Sequence, residues 1–427
     1  MLRVCKNSLV VALLLLVSAW GAKAQDGTYA GYSPYSSFGV GQFHSVGTSW
    51  NKGMGGIGIA ARNNRFINVL NPASVTARDT LSFMANFGLN GRIGVFHEGD
   101  KKNFRITFNI DDFVISFPMW NHTAFMLGLM PMTDVGYDIA YQNLDLNTGK
   151  ESFSTTGKGG LYQLFGAAAA TLWNRLSLGV QVNYCFGNID KYSAWSASNT
   201  AYQSFDYGDS LQVNNVNVKF GLQYEQPLST TSKLTLGATY RLSTPIFGHA
   251  IYYQTLGSYH RERKAEDISG LRMGDELGVG LSYRKADIWS VEVDYTRSNW
   301  ANSGFENVRG FFTKGELPFA SSVGQSVRVG GEWTPNRNDI RYFMRRCTYR
   351  AGAYWDRSYY TVAGSHVDAI GITVGMTVPV FRWYNGVSVG LEVGRRGLEA
   401  SQIKENYFGF SVGMNVFDIW FQKPKYE

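Results

Sequence analysis

The chain alternates. In Val216–Glu225, VNVKFGLQYE, the residues Val216, Val218, Phe220, Leu222 and Tyr224 share one side. Asn217, Lys219, Gly221, Gln223 and Glu225 share the other. The same period of two runs through residues 234–242, 277–284, 370–380 and 387–394. Successive side chains of a strand point to opposite faces, so this period marks strands with one apolar and one polar side. A soluble sandwich would share the alternation. Here the polar side carries charges and small residues, and the apolar side carries Val, Leu and aromatics, as contact with lipid requires.

Turn spacing extends the pattern. Short turns fall at Trp120–His122, Trp173–Arg175, Ser229–Ser232, Arg284–Asp287, Pro335–Asp339 and Tyr384–Gly386. Between them lie longer polar stretches at residues 94–103, 133–160, 188–214, 244–274, 298–322, 356–366 and 396–406. Short turns on one rim and long loops on the other are the asymmetry of an outer-membrane barrel, and the count gives about fourteen strands. The predicted fold is all-β: a transmembrane antiparallel β-barrel of about fourteen strands with an N-terminal hatch or plug segment in the lumen. In hydrocarbon every backbone N–H and C=O needs an internal partner, which a closed sheet supplies without leaving an edge.

Composition agrees. There are 48 Gly, 27 Phe, 25 Tyr and 11 Trp against 10 Pro. Trp173, Trp333, Trp355, Trp383 and Trp420 fall near predicted strand ends, where interfacial aromatics belong. No later apolar run reaches the ~18 residues of a membrane helix. The first residues read as a secretory signal: a basic head at Met1–Lys6, an apolar run from Leu9 to Val17, and Ala22-Lys23-Ala24 as an A-x-A cleavage site. Cys5 sits in the basic head, far from any lipoprotein cleavage point. The expected organisation is a signal peptide at 1–24, a hatch segment at 25–79 and an outer-membrane barrel at 80–427, in the outer membrane of a Gram-negative cell.

The formal charge of +7 includes Arg3, Lys6 and Lys23, which leave with the signal. The remaining basic residues are scattered, which argues against nucleic acid as a partner. Alternation puts Cys185 and Cys347 on opposite faces, so no disulfide is expected between them.

Residues Gly53–Gly58, GMGGIG, have the G-x-G-x-x-G spacing of a dinucleotide loop, and Asp79 lies about where a ribose-binding acid would. The context fails. Gly47–Lys52, GTSWNK, is no buried strand, and the stretch after the glycines is broken at Asn63-Asn64 and stopped at Asn71-Pro72. The alternative is a compact segment whose Gly53, Gly55, Gly56 and Gly58 allow close backbone approach to the lumen wall.

A signal peptide, a glycine-rich stretch, Asn71-Pro72-Ala73 and then a barrel of about fourteen strands together resemble the FadL family of outer-membrane hydrophobic-compound transporters. The ending Trp420-Phe421-Gln422-Lys423 is similar to that of related barrels of the Bacteroidetes type, although the chain runs on to Glu427. The resemblance implies that residues 53–73 belong to a hatch plugging the barrel, with Asn71, Pro72 and Ala73 as its motif. It also implies passive uptake of hydrophobic or amphipathic small molecules such as long-chain fatty acids. Some barrels of the Bacteroidetes type instead serve as non-transporting subunits of larger outer-membrane complexes, for protein secretion or outer-membrane protein assembly, and that reading stays open.

Catalytic chemistry finds little support. The six histidines show no ligand spacing, and H-E-x-x-H, C-x-x-C and G-x-S-x-G are absent. No catalytic residue, metal or cofactor is expected, although a non-local dyad would escape such a reading. Alternation turns Lys219, Glu225, Arg241, Glu276, Arg284, Glu292, Asp294, Arg328, Glu332 and Glu392 into the lumen. Both signs recur on neighbouring strands, so a network that holds the hatch is the expected role, since unpaired charges in a confined lumen are costly. Candidate mouth elements are Gly310–Ala320 and Thr133–Tyr141. The basic groups Lys101-Lys102, Arg261 with Arg263-Lys264, and Arg395-Arg396 are candidates for lipopolysaccharide phosphates. Expected partners are outer-membrane lipid and lipopolysaccharide, a hydrophobic ligand, and other outer-membrane proteins.

Overall fold

The computed structural model describes residues 29–78, 81–99, 101–145, 149–199, 201–256, 259–307, 319–380, 385–399 and 403–419. The signal peptide, Asp79, Trp383, Trp420 and the W-F-x-K tail lie outside them, as does most of Gly310–Ala320. The wall has fourteen strands. They are β1 (Ser82–Glu98), β2 (Lys101–Pro118), β3 (Thr123–Asp145), β4 (Gly149–Leu172), β5 (Leu176–Ala197), β6 (Phe205–Pro227) and β7 (Ser232–Arg241). They continue as β8 (Asp275–Lys285), β9 (Trp289–Asn299), β10 (Val323–Trp333), β11 (Thr348–Val362), β12 (Ser365–Pro379), β13 (Gly386–Arg396) and β14 (Lys404–Ile419). Each pairs antiparallel with the next, and β14 pairs with β1 from Ser82↔Ile419 to His97↔Lys404, closing the barrel. No helix among the described residues is long and apolar enough to cross a membrane.

The alternation becomes exposure. On β5, Leu178, Val180, Val182 and Tyr184 face outward and exposed, while Ser177, Gln181, Asn183 and Cys185 are buried inside. The outer face continues through Leu236, Val279, Val293, Val329, Ile372 and Val393, all exposed apolar side chains. In water such a surface would be an extreme apolar patch; in lipid it is the solvent contact. The thiols of Cys185 and Cys347 are both free.

Both rims differ from expectation. Residues 133–160 and 188–214 are not loops, because β3, β4, β5 and β6 run straight through them. β4 and β5 stay paired from Leu172↔Leu176 to Glu151↔Ala197. A membrane strand needs only ~9–11 residues, so the far ends of these strands, 22 to 24 residues long, rise beyond the bilayer. Above the bilayer both faces of a strand meet polar surroundings, so the alternation that reveals a membrane strand fades there. A hairpin, Phe247–Leu256 with Tyr259–Asp267, adds to the raised wall by pairing with Phe205–Asn214 of β6. At the opposite rim, the turn predicted at Pro335–Asp339 is longer and contains a short helix, Phe343–Arg346.

Residues 29–78 fold inside the barrel. Val40, Asn51, Ala60, Asn71 and Ala73 are shielded completely. Towards one end Tyr35 and Val40 pack with Leu161, Ile189, Leu211, Trp300, Tyr359 and Tyr360; towards the other Ile67, Val69, Leu70 and Val75 pack with Met84, Val114, Met126 and Phe165. Backbone lies directly on backbone where the wall presents glycine. A Cβ on Gly330 would stand 2.2 Å from the Met54 carbonyl oxygen, and one on Gly352 would stand 2.3 Å from the Met54 carbonyl carbon. Gly375 meets Gly53, Gly237 meets Ile59, and Gly221 and Gly179 meet Asn71 to Ala73.

Neighbouring residues on opposite faces of β11 therefore respond differently to the same change. Gly352→Leu is expected to destabilise the folded barrel by ~1–3 kcal/mol through overpacking, whereas Ala351→Leu, exposed on the outer face, is expected to be neutral. Urea unfolding of the two variants in liposomes, followed by tryptophan fluorescence, checks the difference.

Candidate functional site

The glycine fingerprint binds carboxylates of its own wall. Gly58 and Ile59 donate their amides to Asp294 Oδ2 at 2.7 and 3.0 Å, and Ala60 donates to Glu292 Oε1 at 2.8 Å. Gly55, with φ +75°, donates to Thr373 Oγ1 at 2.7 Å and accepts from Arg328 Nη1 at 2.9 Å. Successive amides exposed by such a turn form an anion-binding concavity; here the anions are side chains of β9. Gly53, Gly55, Gly56 and Gly58 are all buried, so the surface a nucleotide would need is occupied.

Asn71 has two roles. Its Oδ1 accepts from the Ala73 amide at 3.0 Å and so caps the short helix Pro72–Thr76, with Pro72 at the first helical position. Its Nδ2 donates to Ile59 O at 2.7 Å and to Leu222 O on β6 at 3.1 Å. One side chain thereby ties the turn, the glycine stretch and the wall together.

The charges assigned to the lumen meet there in pairs. Arg284 binds Glu332 at 3.0 Å, and Glu332 also accepts from Trp50 Nε1 of the inner segment at 3.2 Å. Arg241 and Lys219 flank Glu276 at 3.3 and 3.8 Å. Arg328 grips Asp356 with two contacts of 2.7 and 2.8 Å. Glu392 lies 3.9 Å from Arg92 and accepts from the Tyr354 hydroxyl. Glu225 pairs with Arg62 of the inner segment at 3.7 Å. Beside these pairs lies a cavity of about 300 Å³, lined by Arg92, Lys219, Glu276, Asp294, Arg328 and Asp356 together with Phe43, Ile59, Leu70 and Tyr359.

A second cluster was not anticipated from the sequence. His44 of the inner segment bridges Asp111 of β2 at 3.1 Å and Asp134 of β3 at 2.8 Å. Lys52 also contacts Asp111, and Asn90 of β1 contacts His44. The strand register explains why both acids of Asp111-Asp112 are buried: Gly88 pairs with Asp112 and Leu89 with Ile110, so Asp111 is an extra residue in a bulge. The doublet of acids inside an alternating segment was the available signal.

The bulge marks a seam. Below it β2 pairs with β3 from Phe113↔Leu129 to Pro118↔Ala124; above it the two strands part. The inner segment takes the vacant edge of β3. Gln42 and Phe43 pair with Asp134 and Thr133, His44 N donates to Met132 O at 3.0 Å, and Ser33 N donates to Gly136 O at 2.8 Å. Thr133–Tyr141, expected as a mouth loop, is thus wall strand carrying this contact. Arg395 and Arg396 also divide. Arg395 is exposed, while Arg396 turns inward to Glu405 at 2.9 Å and Gln42 at 2.7 Å, which removes it as a lipopolysaccharide ligand. Side chains of Arg261, Arg263 and Lys264 lie outside the described residues.

The fold has solved relatives. The Ralstonia pickettii toluene transporter TbuX matches with TM-score 0.59 at 14% identity over 87% of this chain and 98% of its own. The Pseudomonas putida toluene transporter TodX matches with TM-score 0.60 at 14% identity over 88% and 99%. A Pseudomonas aeruginosa FadL homologue matches with TM-score 0.54 at 13% identity over 88% and 99%. These likenesses establish a FadL-like outer-membrane barrel fold. No match is found among curated proteins. The family model that matches is BamG, over residues 4–427, and with its whole barrel and inner segment inside that span the chain belongs to the BamG family.

Proposed function

We propose that this barrel does not conduct but serves as a subunit of a larger outer-membrane assembly, for protein secretion or outer-membrane protein assembly, with residues 29–78 as its hatch. The carrying observation is the lumen. The hatch is bonded to the wall through its backbone at Gly55, Gly58, Ile59 and Ala60 and through Trp50, Arg62 and Asn71. An apolar ligand site is lined mostly by hydrophobic side chains with a few polar groups; the cavity here sets six charged side chains, Arg92, Lys219, Glu276, Asp294, Arg328 and Asp356, among apolar ones such as Phe43, Ile59, Leu70 and Tyr359. Opening it would strip partners from several buried ions, each a cost of ~3–5 kcal/mol. The outer face meets outer-membrane lipid and lipopolysaccharide in either reading.

One observation favours uptake of a hydrophobic or amphipathic small molecule as the second reading. The wall has a lateral seam between β2 and β3, in a fold shared with toluene transporters. For a fatty acid or an aromatic hydrocarbon to leave sideways, residues 29–44 would have to release the β3 edge.

Two measurements separate the readings. After purification in mild detergent, the subunit reading expects stoichiometric outer-membrane proteins to travel with the chain; uptake expects a bound lipid or hydrocarbon instead. In planar bilayers the intact protein is expected to show no stable conductance, and a variant lacking residues 29–78 is expected to show a large one. An open channel in the intact protein would end the sealed-barrel reading.

His44 gives the hatch a pH dependence. Burial pushes its imidazole down, and Lys52 does too, but Asp134 and Asp111 push it up and prevail. A raised value in the docked state means that protonation stabilises docking. That contribution is complete below the free value of ~6.5 and is lost as pH rises through the raised value. Protease cleavage within residues 29–44 is expected to increase above that window, and His44→Gln is expected to abolish the change.

A further inference from the structure

The seam has two edges, and the hatch covers only one. On the β3 side, Met132 to Gly136 are bonded to residues 33–44. On the β2 side, residues 102–110 pair with β1, from His97↔Lys102 to Leu89↔Ile110, and no strand among the described residues pairs with their other edge. Alternate backbone N–H and C=O groups of an edge strand point away from its neighbour. This edge lies at membrane depth, because Phe104, Ile106, Phe108 and Ile110 form its outer face and are 56–63% exposed. Hydrocarbon supplies neither donor nor acceptor, and an unsatisfied backbone group there costs several kcal/mol. On the inner side of the same strand, the side-chain amide nitrogen of Asn109 is buried without a partner among the described residues.

We propose, resting on the subunit reading, that the β2 edge at residues 102–110 receives an extended strand from another outer-membrane polypeptide. The occupant has apolar residues at alternate positions facing lipid, and small polar residues at the others facing Asn109 and the lumen. Its length is set by the edge, which matches the ~9–11 residues that cross a bilayer. Strand addition to a free edge draws affinity from main-chain hydrogen bonds and selects by alternating side chains. A lipid acyl chain can cover the apolar face but cannot pair the backbone. A second copy of this chain fits poorly. Two copies inserted the same way are related by rotation about the membrane normal, which sets identical edges at identical heights and donor against donor. A parallel ladder needs the edge-pointing residues of one strand opposite the outward-pointing ones of the other.

The test places a photoreactive benzoylphenylalanine at Phe104, Ile106, Phe108 and Ile110 of the full chain in living cells. Control positions are Val279 and Ile372, on the lipid face elsewhere in the wall. All six side chains point to lipid, so the barrel tolerates them alike. Mass spectrometry then locates the adducts. The proposal expects seam yields several-fold above the controls, with the four adduct sites falling on one segment of one partner and advancing two residues for each two-residue step along β2. Lipid adducts alone, protein adducts without that stepwise register, equal yield at the controls, or a register on a second copy of this chain would each overturn it. If partner proteins copurify in stoichiometric amount while the seam gives only lipid adducts, the subunit reading stands and this inference falls.

Discussion

A backbone in hydrocarbon must pair its own polar groups, and nearly every feature of this barrel derives from that constraint. It requires the sheet to close, from β1 round to β14. It also makes a departure from regular pairing conspicuous. The departure that opens the wall is the bulge at Asp111, above which β2 and β3 separate. A bulge bends its strand and ends local pairing, and here it turns two adjacent acids into the lumen. The hatch responds to both consequences at once. His44 and Lys52 neutralise Asp111, while the backbone at Gln42 to His44 replaces the missing partner of β3.

The same logic makes the hatch part of the core rather than a tail laid into a finished pore. Glycine in the wall and glycine in the hatch let main chains approach until amides reach Asp294, Glu292 and Thr373 directly. Asp294 and Glu292, buried in a lumen without the inner segment, would lose these amide donors. The wall and the hatch therefore stabilise each other's charges, and loss of either leaves ions unpaired in the other.

Most of the wall was legible because its signals are local. A strand's alternation, a two-residue turn and a run such as Asn71-Pro72 each declare themselves within a few residues. The inward set Lys219, Arg241, Glu276, Arg284, Glu292, Arg328, Glu332 and Glu392 could be read for the same reason: parity along one strand fixes its face. Contacts across the chain could not be read that way. His44, Asp111 and Asp134 lie on three separated segments, and parity misleads across Asp111-Asp112, where the bulge puts both neighbours inside. The far ends of β3 and β4, toward Asp145 and Gly149, were hidden for a different reason. Beyond the bilayer neither face is obliged to be apolar, so the pattern that reveals a membrane strand has no cause to persist. Arg395 and Arg396 look like a basic pair only until alternation is applied; neighbours on a strand are never neighbours on a face.

A lumen occupied by the inner segment and a strand edge left open coexist in this barrel. If the seam existed to release a ligand from the lumen, the route to it would need to be apolar and the strand edge merely incidental. On the β3 side of the seam that route is instead occupied by residues 33–44, bonded to the strand edge. The backbone edge of β2 left unpaired above the bulge lies at membrane depth. Selection against exposed edges is strong in sheets because they recruit other strands, so an edge retained at membrane depth, beside an amide left without a partner, is better explained by something that meets it from outside than by anything that passes through from within.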